Sequence, residues 1–418
     1  MSITRSQIEA ATEALRLVLK LEHPADSVLH DYFRARPGLG SHDRAFVADA
    51  VYGVLRRKRT VDTLAPGASP RRLLLAYLAR LGGFSIRELA SATRPDEQSW
   101  LSGVKSQSLE GLSLAQRAEL PDWIVERLHS RFSGPEISAL ARGLNEPAPL
   151  DLRVNTLLAE REQVRQALAV DAIVAEPTPY SPVGLRVRGR PAINRHPLFL
   201  AGAVEVQDEG SQLLGFLLAP RRHDLVVDFC AGSGGKSLML GALMHSHGRI
   251  YAFDVSAARL NRLKPRLKRS GLSNLYPQPI RNENDIRVKR LAGKIDRVLV
   301  DAPCSGLGTL RRNPDLKWRQ SPRSVEEMKP KQAAILRAAA NLVKPGGRLV
   351  YATCSLLAEE NEDIVAAFLA QRRDFRMLGC RELLMAQGID LDTGECLQLV
   401  PHRHRTDGFF AAAMQRTS

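Results

Sequence analysis

The feature that most constrains this chain is a change of pattern after residue 202. From there, short apolar runs typical of buried strands alternate with stretches of helical periodicity. The apolar runs are Leu225–Phe229, Ile250–Phe253, Val298–Val300 and Leu349–Tyr351. Such alternation predicts an α/β fold with a doubly wound, Rossmann-like parallel sheet. Ligands of such sheets bind beyond the carboxyl ends of the strands, where the chemical motifs of this region lie.

The part of the chain before this change has a different organisation. Apolar residues at helical spacing predict an all-helical domain over residues 1–95. Polar, turn-rich sequence from Ser91 to Gly111 predicts a linker. Residues 112–200 mix helical and strand-like runs and predict a small α+β domain, which leaves residues 201–418 as the catalytic domain.

A glycine-rich turn follows the first apolar run. It consists of Cys230, Ala231, Gly232, Ser233, Gly234, Gly235 and Lys236. A P-loop would need a glycine where Cys230 stands, and a dinucleotide fingerprint would need one where Ser237 stands. Asp254 ends the next run and can bind ribose hydroxyls, so the pair predicts a nucleoside cofactor, an adenosyl donor or a dinucleotide. Asp285 follows a third strand-like run, where a surface loop position is favoured over contact with an adenine.

Two further apolar runs end in a cysteine. One leads into Asp301, Pro303 and Cys304, and the other into Cys354. Because parallel strands end at one edge of a sheet, we expect both thiols in one crevice. Packing alone does not explain two cysteines at such positions, so the pair indicates a chemical role. A thiolate that adds to C6 of cytosine activates C5 for methylation, and Asp301 is placed to protonate or hydrogen-bond N3. Amino-group methylases commonly carry an aromatic residue after an acid-Pro-Pro sequence, so its absence favours methylation of carbon.

In this order the motifs resemble those of the Sun/Fmu-type RNA cytosine-C5 methyltransferases, the RsmB-like group. Other matching segments are residues 152–156, 206–212, 311–315, 351–361 and 407–410. The resemblance implies S-adenosylmethionine as cofactor and RNA as substrate. It also implies a helical, antitermination-factor-like RNA-binding domain at the N-terminus, followed by a small RNA-recognition-like domain.

The resemblance also implies roles for individual residues. Cys354 would be the nucleophile, and Cys304 would help to resolve the covalent adduct. The donor would be held by residues 230–236 with Asp254, Asp285 and Asp301. Two segments depart from the family pattern: residues 233–237 read Ser-Gly-Gly-Lys-Ser where Pro-Gly-Gly-Lys-Thr is frequent, and Asn284 replaces the usual glycine before Asp285.

The charge of the chain favours a polyanionic partner. Lys and Arg number 60 against 45 Asp and Glu, a net charge of +15. A basic helix after Asp254 is expected to be a solvated face, whereas a second basic cluster is expected to contact RNA because it includes an aromatic side chain. The second cluster is Arg311, Arg312, Lys317, Trp318 and Arg319. We expect the substrate to be small-subunit ribosomal RNA; the alternatives are transfer RNA, or a non-catalytic RNA-binding assembly factor.

The cysteines indicate the compartment. Their number, five, is odd, and they lack metal-ligand spacing, which argues against disulfides and zinc. The sequence shows neither an apolar signal segment nor a membrane span. We therefore expect a cytoplasmic, metal-free protein that does not bind membranes and is a monomer.

Overall fold

A computed structural model of the chain describes residues 3–417. Residues 1, 2 and 418, the extreme ends of the first and last predicted domains, lie outside the described residues. The chain divides into two compact units, Met1–Pro147 with Thr309–Pro322, and Ala148–Gly308 with Arg323–Ser418. The first is called the helical unit, the second the catalytic unit, and Thr309–Pro322 the inserted segment. Between residues 3 and 417, no helix combines the length and apolarity needed to cross a bilayer.

The helical unit confirms the predicted helical N-terminal region. Its first helix begins after Thr4, whose side chain accepts a hydrogen bond from the Gln7 amide while the Gln7 side chain accepts one from Thr4 N. Ile8 and Leu15 of this helix are fully buried in the core of the unit. The helices are α1 (Arg5–Val18), α2 (Ala25–Arg34), α3 (Ser41–Arg56), α4 (Lys58–Leu64), α5 (Pro70–Arg80), α6 (Ile86–Leu89), α7 (Pro95–Ser106), α8 (Leu114–Ala118), α9 (Asp122–Leu128) and α10 (Gly134–Asn145), with a 3-10 turn at Ala90–Ala92.

This unit continues well past the predicted boundary at residue 95. The predicted linker at 91–111 is wrong, because α7 occupies it and buries Leu101 in the helical core. Beyond α8, the buried Glu119 carboxylate accepts hydrogen bonds from the amides of Arg59 (2.9 Å) and Thr60 (3.3 Å). This tie holds α8 to the start of α4. A polar composition had indicated a linker there, but a few apolar side chains were enough for packing.

The inserted segment corrects the prediction of RNA contact by Lys317 and Trp318. Both belong to a one-turn helix, α17 (Leu316–Arg319), and Trp318 Nε1 donates to Leu55 O at 2.8 Å. Lys317 is 1% exposed, and its Nζ donates to Arg56 O and Asn145 Oδ1, each at 3.0 Å. Burial lowers the pKa of Lys317 to about 7. Packing within the helical unit therefore accounts for these two side chains, and the prediction was wrong for them.

The catalytic unit opens with a small antiparallel sheet. Its four strands lie in the order β2-β3-β1-β4, so the strand-like runs expected in this region are observed. Leu152 and Leu185 of this sheet pack with Val164 of a covering helix. The elements are β1 (Leu150–Val154), α11 (Arg161–Val170), β2 (Ala175–Pro177), β3 (Gly184–Val187), α12 (Pro197–Leu200) and β4 (Val204–Val206), with a 3-10 turn at Ile193–Arg195.

The larger sheet confirms the predicted doubly wound α/β fold. Its order is β10-β12-β9-β8-β5-β6-β7, with β11 paired to β12; β5 to β9 are parallel and β12 is antiparallel to β9. The strands are β5 (Leu225–Asp228), β6 (Arg249–Asp254), β7 (Leu275–Pro279), β8 (Ile295–Asp301), β9 (Val343–Thr353), β10 (Phe375–Leu378), β11 (Leu397–Leu399) and β12 (Phe409–Arg416). The helices are α13 (Glu209–Leu218), α14 (Gly235–Leu243), α15 (Ala257–Ser270), α16 (Ile286–Lys289), α18 (Pro322–Ala340), α19 (Glu362–Gln371), α20 (Cys380–Met385) and α21 (Pro401–His404), with 3-10 turns at Leu307–Thr309 and Ala358–Glu360.

Burial on both faces of this sheet explains why its strands read as continuous apolar runs. Along β8, Leu299 packs in the core that includes α13 and α14, whereas Val298 and Val300 pack in the core that includes α18. Hydrogen bonding between β8 and β9 aligns the ends of the two strands. Asp301 pairs with Ala352 in register, and Ala302 N donates to Ala352 O at 2.8 Å. The carboxyl ends of β8 and β9 therefore lie side by side.

Candidate active site

A crevice of about 590 Å³ opens at the carboxyl edge of the large sheet. This size suits a nucleoside-sized ligand. The ends of β5, β6, β8 and β9 all contribute to it, so the topology brings the predicted motifs together. Among the residues that line it are Cys230 to Ser233, Gly235, Lys236, Asp254, Asp301, Cys304 and Cys354.

The glycine turn has a backbone that requires glycine at Gly234. This residue has φ of 80°, and a Cβ there would lie 2.2 Å from Leu263 Cδ1. The turn is also held from outside, since Arg266 Nη1 donates to Ser233 O at 2.7 Å and Arg153 Nη1 to Gly235 O at 3.3 Å. These two arginines fix its backbone carbonyls, a role that sequence reasoning did not find.

The turn and the end of β6 fit an adenosyl donor. Asp254 Oδ2 accepts from Gly232 N at 2.8 Å and its Oδ1 from Ser256 N at 2.7 Å, which directs the carboxylate across the turn. A Cβ at Gly232 would meet no described atom within 4 Å, apart from neighbouring residues, so space is open beside this backbone. Asp254 can therefore receive ribose hydroxyls while the turn leaves room for the rest of a nucleoside.

Asp228, at the end of β5, is a further polar group of the crevice. Its Oδ2 accepts from Ser237 Oγ at 2.6 Å, whereas among the described residues its buried Oδ1 has no hydrogen-bond partner. Burial raises the pKa of Asp228 to about 7. An unsatisfied buried oxygen in a ligand-sized crevice is available to a bound donor. The sequence signal was present, because Asp228 ends a strand just as Asp254 does.

Asp285 lies outside the crevice lining. Its carboxylate accepts from the amides of Arg281 and Arg287, both at 2.9 Å, so it caps the short helix α16. From the same stretch of chain, Ile280 and Glu283 line the crevice instead. The structure thus places Asp285 in the surface loop that its sequence context favoured, and it gives no support to the donor contact that the resemblance implied.

The two thiols meet, as predicted from their strand-end positions. Cys304 Sγ and Cys354 Sγ are 3.4 Å apart, and both line the crevice. The hydrogen bond to Cys354, followed by burial, raises the pKa of the Cys304 thiol well above its usual range. The raised pKa favours the neutral thiol form of Cys304, in hydrogen-bond contact with the sulfur of Cys354.

Asp301 and Lys236 form an ion pair beside these sulfurs. Lys236 Nζ donates to Asp301 Oδ2 at 2.7 Å, and its side chain is only 14% exposed. Burial acts to lower the pKa of Lys236, but the adjacent carboxylate of Asp301 outweighs it and the pKa is raised. The crevice therefore keeps a fixed proton donor next to a carboxylate and two thiols. No group of three or more metal-ligating side chains occurs between residues 3 and 417.

Two adjacent thiols and a crevice that fits a nucleoside thus lie at one edge of a Rossmann-like sheet. An adenosyl donor fits this arrangement better than a dinucleotide, since the turn lacks the third glycine of that fingerprint. The fold and the site define the class of S-adenosylmethionine-dependent methyltransferases.

Comparison with known proteins identifies the family within this class. A family model described as 16S rRNA methyltransferase RsmB/F matches residues 215–415, and a second, for the ferredoxin-like domain of RsmF/B-like methyltransferases, matches residues 120–194. The chain is 35% identical to the probable ribosomal RNA small subunit methyltransferase B of Synechocystis sp., over 90% of this chain and 92% of that one. The chain belongs to this family, which confirms the predicted resemblance and the predicted cofactor.

Other similar proteins agree with this assignment. The ribosomal RNA small subunit methyltransferase B of Shewanella oneidensis is 31% identical over 90% of this chain and 91% of its own. The crystal structure of PH0851 superimposes with a TM-score of 0.82 at 28% identity and covers 100% of both chains. The similarity therefore extends over both units of the chain.

Proposed function

We propose that this chain methylates C5 of a cytosine in small-subunit ribosomal RNA, through a covalent adduct between Cys354 and C6 of the base. The observation that carries the proposal is the contact between two thiols beside the Lys236–Asp301 pair, in the crevice that fits the donor. Methylation of an exocyclic nitrogen would need neither sulfur. In covalent methylation of a pyrimidine, by contrast, one thiol adds to the ring and the second assists its release.

Addition begins with the sulfur of Cys354. Its thiolate forms a bond to C6, and the electron pair of the C5–C6 double bond moves into the ring. A proton from the Lys236–Asp301 pair reaches N3 and balances this charge. Bound S-adenosylmethionine supplies an electrophilic methyl group, which C5 of the activated ring accepts.

Elimination then releases the product. Water takes the C5 proton, the electrons of that C–H bond restore the C5–C6 double bond, and the C6–S bond breaks with its electron pair on sulfur. The proton on N3 returns to the Lys236–Asp301 pair. Cys304, whose raised pKa keeps it a thiol, donates a hydrogen bond to the departing sulfur of Cys354. The roles of Cys354 as nucleophile and Cys304 as resolving residue follow the family resemblance, and the raised pKa of Cys304 supports them.

The donor contacts are proposed on the same crevice. Residues 230–236 and Asp254 would hold the nucleoside, and Asp301 would lie between donor and base. Asp285 is left out because its carboxylate caps α16, and Asp228 and Glu283 take its place in the proposal because they line the crevice.

Substitution of each thiol tests the mechanism. Cys354→Ser should abolish methyl transfer to RNA, since a hydroxyl is a far weaker nucleophile than a thiolate. Cys304→Ala should leave addition intact but stall elimination, so that protein stays bound to RNA under denaturing conditions. The measurements are tritiated methyl incorporation from labelled donor and a denaturing gel that resolves RNA-linked protein.

Cys396→Ser is the matched control, because this thiol does not line the crevice, and it should behave as the unsubstituted protein. Full transfer by Cys354→Ser would overturn the covalent mechanism. Donor binding without transfer to any RNA by the unsubstituted protein would instead favour a non-catalytic assembly factor.

Bisulfite mapping tests the substrate. RNA from cells that lack the gene should lose protection at one cytosine of the small-subunit ribosomal RNA, and the gene should restore it. Loss of protection in a transfer RNA alone would overturn the assignment of ribosomal RNA as substrate. The proposed methylation of cytosine C5 would still stand. The proposal agrees with the expected cytoplasmic location, because the free thiols that it uses stay reduced there. The monomeric state remains a prediction.

A further inference from the structure

A buried carboxylate lies behind the two thiols, on the side away from the crevice lining. Glu360 ends the 3-10 turn that follows β9 and is 0% exposed. Its Oε1 accepts from Ser305 N at 2.8 Å and from Gln332 Nε2 at 3.0 Å. Its Oε2 accepts from Ser305 Oγ and Ser355 Oγ, each at 2.5 Å. Both oxygens act as acceptors, and none of these four donors belongs to a cationic side chain.

These donors sit next to the reacting sulfurs. Ser305 directly follows Cys304, and Ser355 directly follows Cys354. The two hydroxyls are also 3.2 Å from each other. A single carboxylate therefore holds the residue after each thiol, although the two loops are far apart in sequence.

Neighbouring side chains complete the same arrangement. Gln332 Nε2 also donates to Pro303 O at 2.9 Å, which fixes the residue before Cys304. Asn361 Nδ2 donates to Ser355 O at 3.1 Å, and its Oδ1 accepts from Thr353 Oγ1 at 2.5 Å. In both loops, the residues that precede and follow the cysteine are therefore hydrogen-bonded. Glu360 accepts hydrogen bonds from both loops.

We propose that Glu360 is a positioning residue for the methyl transfer, which sets the distance between the two sulfurs by holding both cysteine loops. The inference rests on the proposed function. Burying a carboxylate without a cation is costly, and four hydrogen bonds offset that cost only while both loops keep their places. The negative charge of Glu360 also contributes to the raised pKa of Cys304, after the hydrogen bond with Cys354, burial and the charge of Cys354.

The test compares Glu360→Gln with Asp363→Asn. Glutamine keeps the shape but removes the charge and turns one acceptor into a donor. Displacement of a reacting group by about 1 Å can cost roughly 100-fold in rate, so Glu360→Gln should lower kcat by about 10- to 100-fold with little change in KM for RNA. Asp363 lies three residues on and is exposed, so Asp363→Asn removes the same charge without touching the loops and should leave kcat unchanged.

The pH profile distinguishes this role from a merely structural one. Loss of the negative charge lowers the pKa of Cys304, so the alkaline limb of kcat should move to lower pH in Glu360→Gln and not in Asp363→Asn. RNA-linked protein should also accumulate, because release of Cys354 slows. Ser355→Ala removes little volume and deletes the hydroxyl that bonds Glu360, Ser305 Oγ and the amide of Leu357. Because the charge of Glu360 remains, this variant should show a smaller loss of kcat with the same sign.

Melting temperature and donor binding show whether each variant is folded. If Glu360→Gln fails to fold, Ser355→Ala decides: normal kcat in that variant overturns the proposal. A folded Glu360→Gln protein whose kcat and pH profile match those of the unsubstituted chain also overturns it, while the proposed function stands. If the unsubstituted chain methylates no cytosine, the proposed function fails.

Discussion

At the scale of single residues, the site depends on ionisable groups whose surroundings shift their protonation. Cys304 and Asp228 are held toward their neutral forms, whereas Lys236 is held charged by Asp301. The types of residue were predictable from the sequence, because each follows an apolar run. Their protonation was not, because it depends on burial and on neighbours from other strands.

Asp228 leads to a prediction about stability and pH. Its pKa is about 7 in the folded chain and near 3.8 when unfolded, so the folded state binds more protons between these values. Stability therefore falls as pH rises from about 4 to 7, because ionisation in the buried site is unfavourable. Asp228→Asn removes this ionisation. We expect similar urea midpoints for the two proteins at or below about pH 4 and a higher midpoint for Asp228→Asn near pH 8.

The difference near pH 8 should amount to a few kcal/mol, since one pKa unit corresponds to about 1.4 kcal/mol. Asp296→Asn is a suitable comparison, because the pKa of Asp296 is lowered by Lys344 and Leu225 N despite its burial. Its loss should destabilise the protein near pH 8. Equal pH dependence of the unsubstituted chain and Asp228→Asn would contradict the assignment.

At the scale of elements, loops rather than strands carry the chemistry. The parallel strands deliver their ends to one edge, and short turns there aim backbone amides and thiols into the crevice. The glycine turn is closely packed, since Gly234 lies against Leu263 of α15. Its shape therefore depends on the adjacent helix as well as on its own sequence.

Gly234→Ala tests this dependence. Positive φ costs an alanine roughly 1 kcal/mol, and the added Cβ would in addition clash with Leu263. We expect the turn to shift and affinity for S-adenosylmethionine, measured by calorimetry, to fall by more than about 10-fold. Gly293→Ala is the matched control: Gly293 has φ of 66° with no described atom near a Cβ, apart from neighbouring residues. Comparable donor affinity in both variants would rule out a specific need for glycine at 234.

At the scale of the whole molecule, the charge of +15 bears on RNA binding. Some basic residues are not available, since Arg266 and Arg269 pair with Glu205 and Lys317 is buried. Arg259 and Arg262 of α15, by contrast, are exposed and line the crevice. We expect the exposed face of this helix to bind RNA near the site, whereas the sequence alone favoured a merely solvated face.

This expectation predicts the salt dependence of binding. Affinity for a ribosomal RNA fragment should fall steeply between 50 and 200 mM salt, because each neutralised phosphate releases counterions. If Arg262 contacts a phosphate, Arg262→Gln should reduce the slope of log K against log salt by roughly 0.7 to 0.9. Lys268→Gln, on an exposed position of α15 outside the crevice lining, should leave the slope unchanged. Equal slopes for all three proteins would exclude Arg262 from the interface.

The amino-acid sequence by itself determined four parallel strands of the large sheet (β5, β6, β8 and β9), the glycine turn and the two strand-end thiols, because burial on both faces and turn geometry leave local patterns. Only the tertiary structure decided where Asp285, Lys317 and Trp318 lie, since each has a local pattern that suits both a ligand contact and packing. Glu360 shows the same limit most clearly. Its partners come from loops about 50 residues apart, and a contact formed across a sheet leaves no periodicity in the chain.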